Sequence, residues 1–511
     1  MRKDRTPNSL FWATLIIGAA LTFLITHTIT LTRYPVANCD EAHYSNVAAV
    51  FLERGVFGNN LTGEDRPIAQ NSGGAGRLFA LGVALFFRWL GISLFSARLF
   101  SLLGYLAAIA LLYVTGRKLF HPTTGLLAAA FFGLSWIALL HGHSGRPDIW
   151  VATGGVLLLL ALWRTVVNPG FWSAALTGLA GVLIIDFHLN GVHFLAAASI
   201  ILALWSLKTR KINLWIPFGL GLGLGALFWI VGHLYVGANT ASGLVDVAEN
   251  VAQIPLATKF LRLLDWWWRQ YWVGTRYESL LQGLCFGLGL ALLAIRRERG
   301  DRILLAYILL SALSFAMIRD VQEDWYRILW MPLVALVTAE GVRLIAGKLH
   351  DWRRIDERWR PALPFVLAMP LLSAYLLGDA YLLYKFRDVS YDNVVTQFEA
   401  HIPAGSRVAA EATWWYGLGS RHEFLDDILF FEETYRMDTP QLQAGLEATL
   451  RKWRFDYVIY DGRIACFSDV TPAAIELKRM LDERCTVAAI VNDKWFGQNV
   501  VYHCLYDVPA G

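Results

Sequence analysis

The sequence predicts an α-helical polytopic membrane protein of about eleven spans, with interfacial helices in its first outer loop and a small C-terminal α/β soluble domain. Three observations predict it. The 511 residues are 56% hydrophobic and only 17% charged, with a mean hydropathy of +0.43, whereas soluble domains carry about 25% charged residues. Apolar runs long enough to cross a bilayer recur between residues 10 and 384. The Lys and Arg residues between those runs collect in alternate loops, as they do when one face of a membrane is cytoplasmic.

The first run, 10–32, follows a basic start of Arg2, Lys3 and Arg5. It is too long for the apolar core of a secretory leader and has no small-residue cleavage site behind it, so it reads as an uncleaved span. Further spans are expected at 94–116, 122–140, 149–167, 171–187, 191–207, 213–236, 277–295, 302–318, 325–346 and 363–384. The stretch Arg77–Leu90 is apolar but only about 14 residues long, and Arg88 interrupts it, so it is expected to lie along or dip into the membrane.

Charge decides that point. With Arg77–Leu90 not spanning, the loops holding Arg117/Lys118, Lys208/Arg210/Lys211, Arg296/Arg297/Arg299/Arg302 and Arg353/Arg354/Arg358/Arg360 all fall on the side of the N-terminus. Were it to span, every later loop would flip and the basic loops would face outward, against the positive-inside rule. The expected location is the inner (cytoplasmic) membrane, multi-pass, with a cytoplasmic N-terminus. The outer face then receives 33–93, 141–148, 186–191, 237–276, 319–325 and everything beyond Lys385.

The expected division is a transmembrane unit, 1–385, and an extracytoplasmic α/β domain, 386–511. That tail mixes strand-like runs (RVAAEA, FDYVIYD, VVYHCLYDV) with amphipathic stretches (QLQAGLEATLRKW, AAIELKRMLDERC), the alternation of an α/β unit. Of five cysteines, Cys466, Cys485 and Cys504 lie in it. Cys485–Cys504 is one of several pairings open to them.

Composition also excludes. No Cys-x-x-Cys pair exists, against zinc-finger and thioredoxin-type readings. The net charge of +4 follows from cytoplasmic Lys and Arg and calls for no nucleic acid. Asp40-Glu41-Ala42-His43 spells a helicase box, but no Gly-Lys-Ser/Thr phosphate loop accompanies it. Gly219, Gly221, Gly223 and Gly225 lie inside an apolar span with no strand before them, so close helix packing explains them better than a dinucleotide site.

What remains converges on the outer face. Asn38-Cys39-Asp40-Glu41-Ala42-His43-Tyr44 puts two adjacent carboxylates about eight residues past the first span. The turn His141-Gly142-His143-Ser144-Gly145-Arg146-Pro147-Asp148 gathers ionisable groups between two apolar helices, where they are costly and mark function. Asp186-Phe187-His188-Leu189-Asn190-Gly191 is a third polar turn. Arg319 to Arg327 is a fourth, leading through Tyr326 and Arg327 into a span. The run Asp265 to Trp272, rich in Trp, suits the headgroup layer.

An Asp-Glu pair after the first span, an Arg-Pro-Asp turn opening a later span, a His-x-Asn-Gly turn and a Tyr-Arg-x-x-x-x-Pro span together resemble the GT-C glycosyltransferases. The branch they look most like is the bacterial relatives of dolichyl-phosphate-mannose protein mannosyltransferases, which include the lipid A aminoarabinose transferases. The resemblance covers roughly residues 1–385. In one place the chain departs from it: the Gly-rich segment Arg66–Gly76 stands where family members often carry Pro-Pro.

The resemblance implies an inverting transfer of a sugar from a polyprenyl-phosphate donor, at the outer leaflet, to a hydroxyl of a lipid, glycan or protein acceptor. A carboxylate base must then reach that hydroxyl. Asp40 is the first candidate and Glu41 the second, with Asp148 beside the sugar or the acceptor. Arg146 and Arg327, with Tyr326, suit the leaving phosphate. His43, His143, His188 and Asn190 are the candidate substrate contacts. No cofactor is required and no metal ligand is assigned, although His143 and His188 leave room for a divalent ion. The rival reading is a transporter or flippase for lipid-linked sugars, and an outward-facing sensor or scaffold is a third.

Overall fold

A computed structural model describes residues 18, 21–61, 63, 76–234, 254–269, 277–318, 324–353, 355–430, 439–461 and 472–504. The Gly-rich segment 66–75, most of the loop 237–276, the turn 319–323 and Cys466 lie outside them.

The chain begins, within the described residues, with α1 (Leu21–Thr30). The helix α2 (Cys39–Arg54) follows. Its start is fixed by Asn38, whose side chain accepts from the Asp40 amide, and Asp40 and Glu41 in the first turn complement the positive helix end. Gly55, at φ 71°, stops it in the left-handed conformation that glycine takes most readily. The next helix, α3 (Arg77–Leu90), is the short stretch that charge kept out of the bilayer count. It buries Phe79, Ala80, Val83, Ala84 and Phe87, and its open face carries Leu81, Leu85, Trp89 and Leu90. A helix apolar on both faces suits a membrane boundary better than water.

The bundle continues with α4 (Leu94–Leu119), α5 (Pro122–Gly133), α6 (Trp136–Gly142), α7 (Asp148–Val167), α8 (Phe171–Phe187), α9 (Val192–Thr209), α10 (Trp215–Leu234), α11 (Leu256–Trp268), α12 (Tyr277–Arg296), α13 (Arg299–Ile318), α14 (Arg327–Arg353) and α15 (Leu363–Lys385). Eight described helices are long and apolar enough to cross a bilayer, and α5 with α6 form a pair, bent by 66°, that is long and apolar enough only when taken together. The apolar helix α8 is shorter, at 17 residues.

The expected continuous span 122–140 is thus two helices. The break has a local cause. Ser135 leaves helical geometry and its hydroxyl bonds back to the Phe132 carbonyl, while the Tyr105 phenol takes the Gly133 carbonyl. Side chains so satisfy carbonyls that the helix would otherwise use. The bend re-aims α6 and the polar turn behind it.

The centre of the bundle is α14, whose spanning window is 83% buried, against 28–61% for the other eligible spans. It packs on α12, α5 and α7. The four glycines of α10 divide by face. A Cβ on Gly221 would lie 2.0 Å from the Ala175 carbonyl of α8 and one on Gly225 2.7 Å from Val182, while Gly219 and Gly223 face open space. A four-residue spacing of small residues sets this close approach.

After α15 come α16 (Tyr391–Glu399), β1 (Arg407–Ala410), a single turn α17 (Trp415–Leu418), β2 (Glu423–Asp426), α18 (Thr439–Trp453), β3 (Tyr457–Asp461), α19 (Pro472–Arg484), β4 (Thr486–Asp493) and β5 (Gly497–His503). The sheet order is β2-β1-β3-β5-β4, with β1 parallel to β2 and β3, and β5 antiparallel to β3 and β4. Among the described cysteines, Cys485 pairs with Cys504 and Cys285 is free. One face of the sheet shares a hydrophobic core with α2 and α3, through Ala42, Val47, Val83 and Phe87 on one side and Trp415, Ile459 and Val501 on the other. That shared core brings the sheet to the Asp40 end of the bundle.

Candidate functional site

The site assembles where the start of α2 meets the turn between α6 and α7. Asp40 comes from the first turn of α2, and Arg146 and Asp148 come from the turn between α6 and α7. Arg146 is the bridge. Its guanidinium pairs with the Asp40 carboxylate through Nη1 and with Asp148 Oδ2 through Nε at 2.9 Å. The two carboxylates differ sharply: the Asp148 side chain is 1% exposed and that of Asp40 is 48% exposed. Arg146 is itself buried. Burial opposes its charge, but Asp148 and then Asp40 hold the guanidinium well above its ordinary value. Two rings flank it, with Tyr44 at 5.7 Å and Trp325 at 5.0 Å from Cζ, close enough for cation–π attraction.

Glu41, the other half of the acidic pair, has a different environment. It is fully buried and both its oxygens are occupied. Arg98 donates to them through Nε and Nη2 at 2.7 Å each, and the Gly145 amide donates to Oε2 at 2.7 Å. The same guanidinium reaches the Leu31 and Pro35 carbonyls at 2.9 Å through Nη1. Glu41 therefore ties together the end of α1, the start of α2, α4 and the Arg146 turn. With both oxygens bonded and the side chain shut off from solvent, it is a structural clamp.

The candidate histidines separate. His188 lies within electrostatic reach of Asp148 and its ring stands edge-on to Tyr44 at 6.3 Å. Its Nδ1 accepts from the Asn190 amide at 3.1 Å, which fixes the ring. His143 turns away, bonding His27 at 2.8 Å and the Tyr34 carbonyl at 3.0 Å. Burial and the neighbouring His27 hold its imidazole well below the ordinary range. His141, two residues earlier, is the one beside Asp148, with Trp325 at 5.5 Å. His43 reaches the sheet, its Nε2 lying 2.8 Å from Asp426 Oδ2.

Tyr326 lies close enough to Tyr44 to act on its phenol. Arg327 belongs to a neighbouring group. It donates to Gln282 Oε1 at 2.9 Å and to Ser279 Oγ at 3.3 Å, with Trp136 under its guanidinium at 5.5 Å. The site also contains His141, Tyr44 and Trp325, which lie in the polar segments but were expected to play no part, and Arg98, which lies outside them. Arg98 carried a signal, because a cation inside an apolar run needs a buried partner. Tyr44 follows Asp40 by one helical turn, the spacing that puts two side chains on one face.

The nearby pair Arg77–Asp186 fixes α3 to the end of α8, with Nε–Oδ1 at 3.2 Å and Nη2–Oδ2 at 3.3 Å. Among the described residues, no group of three or more His, Cys, Asp or Glu side chains is arranged to hold a metal ion.

No protein-family profile and no curated protein sequence matches the chain. Solved structures do. ArnT from Cupriavidus metallidurans in the apo state aligns over 97% of this chain and 98% of its own, at 15% identity and a TM-score of 0.58. The same protein bound to undecaprenyl phosphate aligns with equal coverage and identity and a TM-score of 0.56. The Archaeoglobus fulgidus oligosaccharyltransferase tethered with an acceptor peptide aligns over 96% of this chain and 74% of its own, at 10% identity and a TM-score of 0.51. At such identities the likeness is one of fold: the chain shares the fold of ArnT and, more distantly, of the oligosaccharyltransferase.

Proposed function

We propose that the chain is an inverting glycosyltransferase of the membrane's outer face, moving a sugar from a polyprenyl-phosphate donor to an acceptor hydroxyl on a lipid, glycan or protein. The observation that carries this reading is the chain Asp40–Arg146–Asp148, an open carboxylate beside a buried guanidinium that a second, buried carboxylate holds in place. The likeness in fold to ArnT, seen with undecaprenyl phosphate, supports a donor of that chemistry.

In the proposed reaction Asp40 takes the proton of the acceptor hydroxyl as that oxygen bonds to the anomeric carbon. The bond from that carbon to the phosphate oxygen breaks, and polyprenyl phosphate leaves with the electron pair. Arg146 is poised for the phosphate. Asp148 keeps its Nε, so a phosphate oxygen competes only with Asp40 for Nη1, and binding the donor would release Asp40 toward the acceptor. A guanidinium aimed at the leaving phosphate lowers the barrier by meeting the charge that develops there. Arg327 is assigned as a second cation, Tyr326, His188 and Asn190 as contacts on the sugar side, and Glu41 as the residue that positions Asp40. The site would face outward, with the N-terminus cytoplasmic in an inner membrane and residues 386–511 as an extracytoplasmic domain.

The experiment is reconstitution into lipid vesicles with radiolabelled polyprenyl-phosphate sugars and mixed lipid and glycan acceptors. Release of free polyprenyl phosphate with label on the acceptor is expected. Movement of intact donor across the bilayer, with no bond cleaved, would make the protein a flippase instead.

A further inference from the structure

In open α/β sheets the crevice at the carboxyl ends of parallel strands is where ligands bind. Here that edge is occupied by a helix of the same chain. Asp426 ends β2 and meets His43 of α2 at 2.8 Å, and its amide donates to the Leu61 carbonyl at 2.7 Å. The segment after β1 carries Tyr416, whose phenol lies 2.8 Å from the Glu41 carbonyl and 2.8 Å from Ser45 Oγ. A carbonyl only accepts, so the single Tyr416 O–H serves Glu41, and the Ser45 hydroxyl gives its proton to the phenol oxygen. Tyr416, Glu41 and Ser45 are all buried, so this is a dry bond with no water to replace it. The carbonyl it takes belongs to the residue after Asp40, on the first turn of α2.

We infer that the C-terminal α/β region is a working part of the site, and that Tyr416 is a positioning residue that fixes the backbone carrying Asp40. The inference rests on Asp40 acting as the base in the proposed transfer. It adds that the soluble domain's ligand edge has been turned into a mount for the membrane unit's reactive helix. A helix start held from one side by Arg98 through the Glu41 carboxylate, and from the other by Tyr416 through the Glu41 carbonyl, has little freedom to shift Asp40. A displacement of about 1 Å in a reacting group can cost about a hundredfold in rate.

The test compares Tyr416→Phe and Ser45→Ala with Tyr460→Phe. Tyr460 is the control because its phenol donates to the Ala474 carbonyl at 3.3 Å and packs on the core that the sheet shares with α18 and α19, away from α2. Hydrogen exchange of the full-length protein reads α2 directly. Amides between Glu41 and Ala49 should exchange roughly fivefold faster in Tyr416→Phe and Ser45→Ala, the factor expected for one lost hydrogen bond, and at the wild-type rate in Tyr460→Phe. Unchanged α2 exchange in Tyr416→Phe, or equal acceleration in Tyr460→Phe, overturns the inference.

In the transfer assay kcat should fall about tenfold in Tyr416→Phe with KM unchanged, the pattern of lost transition-state alignment. A wild-type kcat in that variant also overturns it. Failure of the wild-type protein to transfer sugar counts against the proposed function alone and leaves the exchange comparison to decide whether Tyr416 fixes α2.

Discussion

At the end of α12 far from the sheet, Arg296 meets Asp301 at 2.8 Å and Glu340 at 2.6 Å, Arg343 meets Glu340 at 2.7 Å, and the Thr124 hydroxyl donates to the same carboxylate at 2.6 Å. About 20 Å along the bundle, beside the sheet, Arg146 joins Asp40 and Asp148. The residue types are the same. In the first network Asp301 and Glu340 are fully buried and the acids meet several donors each. In the second, one carboxylate is nearly half exposed and two aromatic rings, not further acids, flank the cation. A closed network fixes helices. An open one has a member free to exchange its partner, which is what binding and proton transfer need. Glu41 with Arg98 shows the contrast within two residues of chain, since it has the closed form right next to Asp40.

The largest effects should therefore be on stability where the network is closed. Glu41→Gln leaves Arg98 buried without its counter-charge, and breaking such a pair costs about 3–5 kcal/mol. Glu340→Ala should cost a similar amount. Thermal unfolding of the purified protein in detergent checks both, and a loss under about 1 kcal/mol for Glu41→Gln would make it an ordinary surface-like pair and blur the contrast.

Next in size, Arg146→Lys should lower kcat by about a hundredfold while the protein stays folded, because a point charge replaces a fork that grips Asp148 and phosphate together. Turnover assays with the reconstituted protein measure it, and near-normal kcat would assign the phosphate elsewhere.

A smaller effect is expected at Asp427. Burial first, and then Asp426, push its carboxyl well above the usual 3.8. Folding thus favours the protonated form, so this stabilisation is present below the unfolded value near pH 4 and is lost as pH rises through the folded value. Asp427→Asn should raise the unfolding temperature more at pH 8 than at pH 5. An equal shift at both pH values would show that the carboxyl is not held neutral by its surroundings.

Much of this was readable in the sequence. The stretch Arg77–Leu90 forms a helix of 14 residues, as its short apolar run suggested, and Asp40, Arg146 and Asp148 stood out because charged groups at span ends are costly. The strand-like runs beginning at Arg407, Phe455 and Val500 contain or overlap β1, β3 and β5. Other features could not be read. Asp40 and Glu41 are adjacent, and only packing decides which of two side chains about 100° apart on a helix meets solvent and which meets Arg98. His143 and His141 differ in the same way, because the bend after Gly133 sets which imidazole points at Asp148. The four-residue strand β2 holds two acids, Glu423 and Asp426, and the eight-residue β4 is mostly exposed, so neither shows the alternation of buried and open positions that marks a strand. The contact of Tyr416 with α2 joins residues 375 positions apart, beyond the reach of any local pattern.

The most direct measurement is transfer by Asp40→Asn in vesicles, beside wild type and with the unfolding temperature of each. The open carboxylate is assigned the base, so release of polyprenyl phosphate should fall by about a thousandfold, while the unfolding temperature changes little because Arg146 keeps its bond to Asp148. Transfer at the wild-type rate by a folded Asp40→Asn protein would contradict the account at its centre.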